Sequence, residues 1–206
     1  MATFRAVKRY DRAYYDRWYR RRHSRVITPD LTARRAALAL SVAEVVLDRP
    51  VRSALDVGCG EGDWGVWLRR RRPGMRYLGV DPSEYAVARF GTRRHLRLGA
   101  FGALAGAGVR GRFDLVICAD VLQYVPTREL APGLAELVSH LGDGIAFLPA
   151  YTSADEMEGD FEGWHWRPPS TWRRAFRAAG LVPVGMHCWV REDRAATLNV
   201  FERADA

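Results

Sequence analysis

The stretch Leu55-Asp56-Val57-Gly58-Cys59-Gly60-Glu61-Gly62 constrains this chain more than any other. A short apolar segment ends in an acid, and the loop after it has glycine at every second position. Glycine lets backbone approach a ligand that any Cβ would block. Twenty-three residues beyond Gly58, a second apolar segment, Tyr77-Leu78-Gly79-Val80, ends in Asp81. Strand, glycine turn, helix and a second strand with a terminal acid make a nucleoside-binding βαβ unit. Asp81 falls where a carboxylate accepts hydrogen bonds from both ribose hydroxyls.

The choice of nucleoside turns on charge. Gly60, Gly62 and Gly65 also read as G-x-G-x-x-G, a weak dinucleotide signal on its own. Asp56, Glu61 and Asp63 crowd the same turn. A pyrophosphate on a helix N-terminus wants N–H groups and no anions nearby. Like charges a few ångströms apart cost roughly 1 kcal/mol or more each. The acids suit instead a ligand with cationic groups and no phosphate, such as S-adenosylmethionine with its sulfonium and ammonium.

Three segments, in order, then resemble the motifs of the class I S-adenosylmethionine-dependent methyltransferases of small molecules. Asp56–Gly62 is similar to their first motif, Gly79-Val80-Asp81-Pro82-Ser83 to the second, and Phe113–Val125 to the fourth. The resemblance covers about residues 50–150. It implies S-adenosylmethionine as cofactor and S-adenosylhomocysteine as product. The cofactor site it implies comprises Asp56, Gly58, Cys59, Gly60, Asp81, Pro82, Ala100, Phe101, Ala119 and Tyr124. The third motif departs, because Ala100 stands where the family often places an acid for the adenine amino group. Adenine then falls to backbone, to Phe101 or to another side chain. The resemblance also implies a Rossmann-like α/β fold of seven strands, mostly parallel, the last antiparallel.

Patterning along the chain is compatible with one domain over residues 1–206. Residues 1–50 read as a helical extension or lid, with Tyr10, Tyr14 and Trp18 at i, i+4 and i+8 on one face and Tyr15 and Tyr19 beside them. A second helix runs over 31–47. Residues 51–150 form the cofactor-binding core. Strands are predicted at 54–57, 76–80, 96–98, 114–119 and 145–148, and helices at 63–72, 83–90 and from a Thr127 cap to 141. Residues 151–169 form a long acceptor-site connection, and 170–206 a helix capped by Ser170 and an antiparallel pair at 182–190 and 197–201. Strands alternating with helices imply a sheet covered on both faces, with ligand beyond the carboxyl ends of its strands.

Composition narrows the classes. Three widely spaced cysteines, Cys59, Cys118 and Cys188, suggest neither a disulfide framework nor a metal site. No apolar run reaches the roughly 18 residues of a membrane span, and no signal-like apolar segment is visible, so a cytoplasmic protein without a membrane partner is expected. Of the net charge of +8, residues 1–50 carry +7. A solvated basic face and a nucleic-acid grip are both open readings of that asymmetry.

Methyl transfer is an in-line displacement, so the protein mainly aligns the acceptor and excludes water. A base helps where the acceptor is a hydroxyl or a protonated amine. His165, between Trp164 and Trp166 in the long connection, and Asp120, at the end of the fourth strand, are the candidate catalytic residues. Tyr14, Trp18, Tyr151, Trp164 and Trp166 are the candidate acceptor walls. The plain alternatives are a hydrophobic plug with His165 as bystander, and Asp120 as a helix cap. The favoured function is O- or N-methylation of a small molecule in specialised metabolism, by a monomer or homodimer. An RNA methyltransferase using Arg5–Arg25 is the first alternative. A nicotinamide oxidoreductase or a non-catalytic nucleoside-binding protein belongs to a different class.

Overall fold

The computed structural model describes residues 8–21, 23 and 26–198. Seven strands form one sheet in the order β3-β2-β1-β4-β5-β7-β6. They are β1 (Ser53–Val57), β2 (Arg76–Asp81), β3 (Leu96–Leu98), β4 (Phe113–Ile117), β5 (Leu141–Phe147), β6 (Leu181–Gly185) and β7 (Cys188–Arg191). Pairings from β3 through β5 are parallel, and β7 is antiparallel to both its neighbours. The Rossmann-like sheet expected from the sequence is therefore present, antiparallel last strand included.

Alternation along the strands sorts the core into two layers. Ala54, Leu115, Ile117, Ile145 and Phe147 face one side and pack with α2 (Pro29–Leu47), α3 (Asp63–Arg71) and Phe90 of α4 (Glu84–Arg94). Leu55, Val57, Val116, Cys118 and Ala146 face the other and pack with α5 (Thr127–Ser139) and α6 (Pro169–Ala178). All five residues of β1 are buried, as burial on both faces requires. The three cysteines are buried and unbonded. Among the described residues no helix is long and apolar enough to cross a membrane.

Local chemistry sets the ends of the elements. The Thr28 hydroxyl accepts from the Leu31 N–H at 3.1 Å, Pro29 opens α2, and Asp48 closes it in the left-handed region. Ser83 caps α4 through Ala86 N at 3.1 Å. Two caps differ from expectation. Thr127 is the first helical residue of α5, with Pro126 before it, and Pro168 rather than Ser170 precedes α6. Prolines fix φ near its helical value, so both helices begin there without a side-chain cap.

The expected strand at 197–201 is not formed by its described part. Thr197 and Leu198 lie in the turn after a short helix, α7 (Glu192–Ala195), and residues 199–201 fall outside the described residues. The antiparallel pair is instead a hairpin inside 181–191, turned by Met186 and His187, both at positive φ. The alanine- and glycine-rich stretch after β3 forms turns, since its glycines break any helix.

The N-terminal segment is short and wound in two ways. A single α turn, α1 (Arg12–Tyr15), is capped by Asp11 and passes into a π turn over Asp16–Arg20. The bond from Arg21 N to Asp16 O, 3.0 Å, spans five residues. This widening changes which tyrosines share a face, and such turns recur at functional sites.

Candidate active site

The glycine loop after β1 is held by its neighbour strand. Gly58 N and Cys59 N donate to the Val80 carbonyl at 2.7 and 3.1 Å. Gly58 has φ +75°, and a Cβ there would lie 2.2 Å from Cγ2 of Val121. Only glycine combines that backbone with that neighbour.

Asp81 closes the turn from the end of β2. Its Oδ2 accepts from Gly60 N at 2.7 Å and its Oδ1 from Ser83 N at 2.9 Å. Tyr15 brings its hydroxyl to the same Oδ1 at 3.5 Å. The side chain is 5 % exposed, and burial raises its pKa against the two backbone bonds that lower it. Each carboxylate oxygen accepts two hydrogen bonds, so Asp81 keeps capacity for further donors.

These groups face a cavity of about 90 Å³ lined by Gly58, Gly60, Asp81, Pro82, Ala119, Asp120 and Val121 below, and by Tyr10, Tyr14, Tyr15, Tyr19 and Tyr124 above. Glycines in left-handed geometry beside a carboxylate with one free lone pair, and a second held only by the 3.5 Å contact from Tyr15, suit a ribose-bearing ligand. A second cavity of about 150 Å³ adjoins it, and Tyr14, Tyr19, Asp120 and Tyr124 line both.

Asp120 anchors the wall between the cavities. It has φ +61°. Arg35 of α2 donates to its Oδ2 at 2.9 Å, Tyr151 donates to its Oδ1 at 2.7 Å, and Arg35 also reaches the Tyr151 oxygen at 2.8 Å. Burial pushes the Tyr151 hydroxyl up to about 12, so it stays protonated near neutral pH. Leu31 and Arg35, one helical turn apart, present the same face of α2 to the second cavity.

A latch joins the N-terminal segment to the long connection. Lys8 pairs with Asp160, donates to the Glu162 carbonyl at 3.1 Å, and lies 4.0 Å above the Tyr124 ring. The Tyr124 hydroxyl donates to the Asp160 carbonyl at 2.7 Å. Ser83 Oγ donates to the Tyr10 carbonyl, tying the same segment to α4.

Most of the residues singled out from sequence meet here, and some do not. Gly58, Gly60, Asp81, Pro82, Ala119 and Tyr124 line the first cavity, and Tyr14, Trp18, Tyr151 and Trp164 the second. Asp56 lies beneath the loop, 1 % exposed, taking a 2.7 Å hydrogen bond from Tyr77. Cys59 is also buried and lines neither cavity. Phe101 packs on Gly133 of α5, and Ala100 is exposed. Trp166 is 49 % exposed. His165 lines neither cavity, and its N–H donates to the Gln123 carbonyl at 2.8 Å.

The acidic loop also carries less free charge than the sequence implies. Glu61 pairs with Arg20, and Asp63 with Arg94 at 2.6 Å. Burial raises the Asp56 carboxyl to about 7. The repulsion argued against a pyrophosphate is therefore largely compensated within the protein, and the ligand choice rests on the motifs and the cavity instead.

A sheet of this order is a doubly wound α/β fold, in which ligands lie beyond the carboxyl ends of the strands, where Asp81 stands at the end of β2. Residues 55–145, a little under half of the chain, match the family model described as a methyltransferase domain. The chain is 32 % identical over 114 residues to a trans-aconitate 2-methyltransferase of Deinococcus radiodurans, which covers 53 % of this chain and 42 % of that protein. It thus spans about two fifths of the curated relative it matches. Among solved structures, a plantazolicin methyltransferase in complex with a desmethyl analogue and S-adenosylhomocysteine superposes with a TM-score of 0.60 at 14 % identity, over 74 % of this chain and 65 % of that one. A sugar N-methyltransferase from Streptoalloteichus gives 0.59 at 20 % identity, over 78 % and 87 %. These likenesses establish the fold.

Proposed function

We propose that this chain transfers a methyl group from S-adenosylmethionine to an O or N atom of a small molecule in specialised metabolism, releasing S-adenosylhomocysteine. The observation that carries the reading is the pair of adjoining cavities, one floored by the glycine loop and Asp81, the other walled by aromatic rings, with Asp120 between them. The cofactor supplies an electrophilic methyl on a sulfonium. Asp81 would hold the ribose hydroxyls, and Gly58 and Gly60 let backbone lie against the ligand. The tyrosine rings above the first cavity offer π faces to a cationic centre, worth ~0.5–2 kcal/mol. Asp120, positioned by Arg35 and Tyr151, stands where an acceptor's hydroxyl or ammonium proton needs an acceptor or an orienting partner. His165 has no such placement. Both cavities are walled by one chain, so a monomer suffices.

RNA as substrate has less support. Of the N-terminal cations, Lys8, Arg20, Arg35 and Arg49 are committed to Asp160, Glu61, Asp120 and Asp114. Tyr14, Tyr15 and Tyr19 face the cavities, where no nucleic acid lies flat on them. Arg5, Arg22 and Arg25 lie outside the described residues.

Calorimetric titration with S-adenosylmethionine, S-adenosylhomocysteine and NAD, repeated on Asp81→Ala, tests the reading. Binding of the first two that is lost in the variant is expected. Binding of NAD alone would overturn it.

A further inference from the structure

The second cavity has a chemistry narrower than that of small molecules at large. Its walls include Tyr14, Trp18, Tyr124, Phe161 and Trp164. Trp164 lies 4.9 Å from Phe161 and stacks 6.0 Å from Tyr151. Three buried polar atoms of lining residues have no hydrogen-bond partner among the described residues; Oδ2 of Asp160 is ion-paired with Lys8, which leaves the amide oxygen of Gln123 and the indole Nε1 of Trp164. Gln123 is 3 % exposed, and the bond from His165 N to its carbonyl fixes its main chain. Buried polar groups are normally satisfied, so an unpaired acceptor and an unpaired donor in one cavity wall call for an occupant that supplies both partners.

Charge and size narrow the occupant further. Arg35 is the cation in this lining, and it is committed to Asp120 and Tyr151. Glu158 and Asp160 line the same space. An anionic occupant would find no uncommitted counter-charge in this lining, with Glu158 beside it and Asp160 already paired with Lys8. A cavity of about 150 Å³ is of the size that accepts a benzene-sized ring.

We propose that this cavity binds an uncharged, flat single ring bearing a hydroxyl or lactam group, a phenol or a hydroxypyridine. The ring stacks within the aromatic wall, its O–H or N–H donates to Oε1 of Gln123, and its oxygen accepts from Nε1–H of Trp164. That the occupant is the methyl acceptor rests on the methyltransferase reading, whereas the binding itself does not. A tricarboxylate, the chemistry named for the curated relative, does not fit this lining.

The test is ligand-observed NMR with p-cresol, toluene, cyclohexanol and citrate, alongside a separate calorimetric titration with S-adenosylhomocysteine. Saturable p-cresol binding is expected, with toluene and cyclohexanol each weaker by roughly tenfold or more and citrate not bound. Gln123→Leu and Trp164→Phe should each collapse the preference for p-cresol over toluene. A variant that still binds S-adenosylhomocysteine is folded, which separates loss of a contact from loss of the domain. Equal binding of p-cresol and toluene, a preference for citrate, or an unchanged preference in both variants would overturn the assignment. Failure of S-adenosylhomocysteine to bind the unaltered protein would instead sink the methyltransferase reading and leave the p-cresol result to stand by itself.

Discussion

The Tyr15 hydroxyl lies 3.5 Å from Oδ1 of Asp81, the oxygen that Ser83 N also holds at 2.9 Å. The phenol ring is 2 % exposed and covers Gly60. Tyr15 therefore occupies a lone pair that a ribose hydroxyl would use. Tyr15→Phe keeps the buried ring and removes the donor. S-adenosylhomocysteine should bind the variant about two- to fivefold more tightly, the worth of one weak hydrogen bond no longer displaced. Calorimetry reads this directly, and unchanged or weaker binding would show that the phenol does not compete.

Gly58→Ala meets two separate obstacles. The left-handed backbone costs a non-glycine residue about 1–2 kcal/mol, and the new Cβ meets Val121 at 2.2 Å. Denaturant melts should show a loss larger than the backbone cost alone. Val121→Ala on the same background should recover the steric part only. Full recovery would mean the backbone is unstrained.

Burial raises the Asp56 carboxyl from 3.8 to about 7. The folded state thus binds this proton more tightly than the unfolded chain does. Its contribution to stability is fully present below about pH 4 and is lost as pH rises through about 7, on the order of 4 kcal/mol across the window. Asp56→Asn retains an oxygen for the Tyr77 hydroxyl and should flatten that slope. Urea melts at about pH 5 and about pH 8 compare the two, and parallel slopes would count against a neutral buried carboxyl.

Removing Arg35 leaves Asp120 half-buried, with the hydrogen bond from Tyr151 still in place. Arg35→Leu should destabilise by roughly 1–3 kcal/mol, and adding Asp120→Asn should return part of the loss. A double-mutant cycle measures the coupling. Additive effects would mean the pair contributes nothing beyond its separate side chains.

The pairing of Lys8 with Asp160 fastens two segments that the sequence keeps 152 residues apart. Lys8→Met should loosen both. Trypsin should then cut after Arg12 in the first turn and Arg17 in the π turn several-fold faster than in the unaltered protein, because cleavage follows the open population. Asp160→Asn should behave alike, and equal cleavage rates would place the fastening elsewhere.

The glycine loop, Asp81 and the alternation of strands with helices were legible in the sequence because each is a local demand. A left-handed turn needs glycine, a buried parallel strand needs an apolar run, and the ligand lies at strand ends. Gln123 and Arg35 were not legible. Gln123 gains meaning only when the connection folds over it, and Arg35 is one arginine on an alanine-rich helix until α2 packs beside Asp120. The tyrosines show the same limit. A straight α-helix puts Tyr10, Tyr14 and Trp18 in line, whereas the π turn also brings Tyr14 to Tyr19, five residues on, 6.3 Å between ring centroids. The charge argument failed for a related reason, since Arg20 and Arg94 reach Glu61 and Asp63 from distant segments.

Tyr14, Tyr19, Asp120 and Tyr124 belong to both cavities at once. Two ligands divided by a common partition cannot be energetically indifferent to one another. Whatever holds those rings in place for the first occupant also fixes the room left to the second. By reciprocity each then changes the other's affinity by the same factor. The order in which they arrive alters the path, and the strength of the final ternary complex is independent of it.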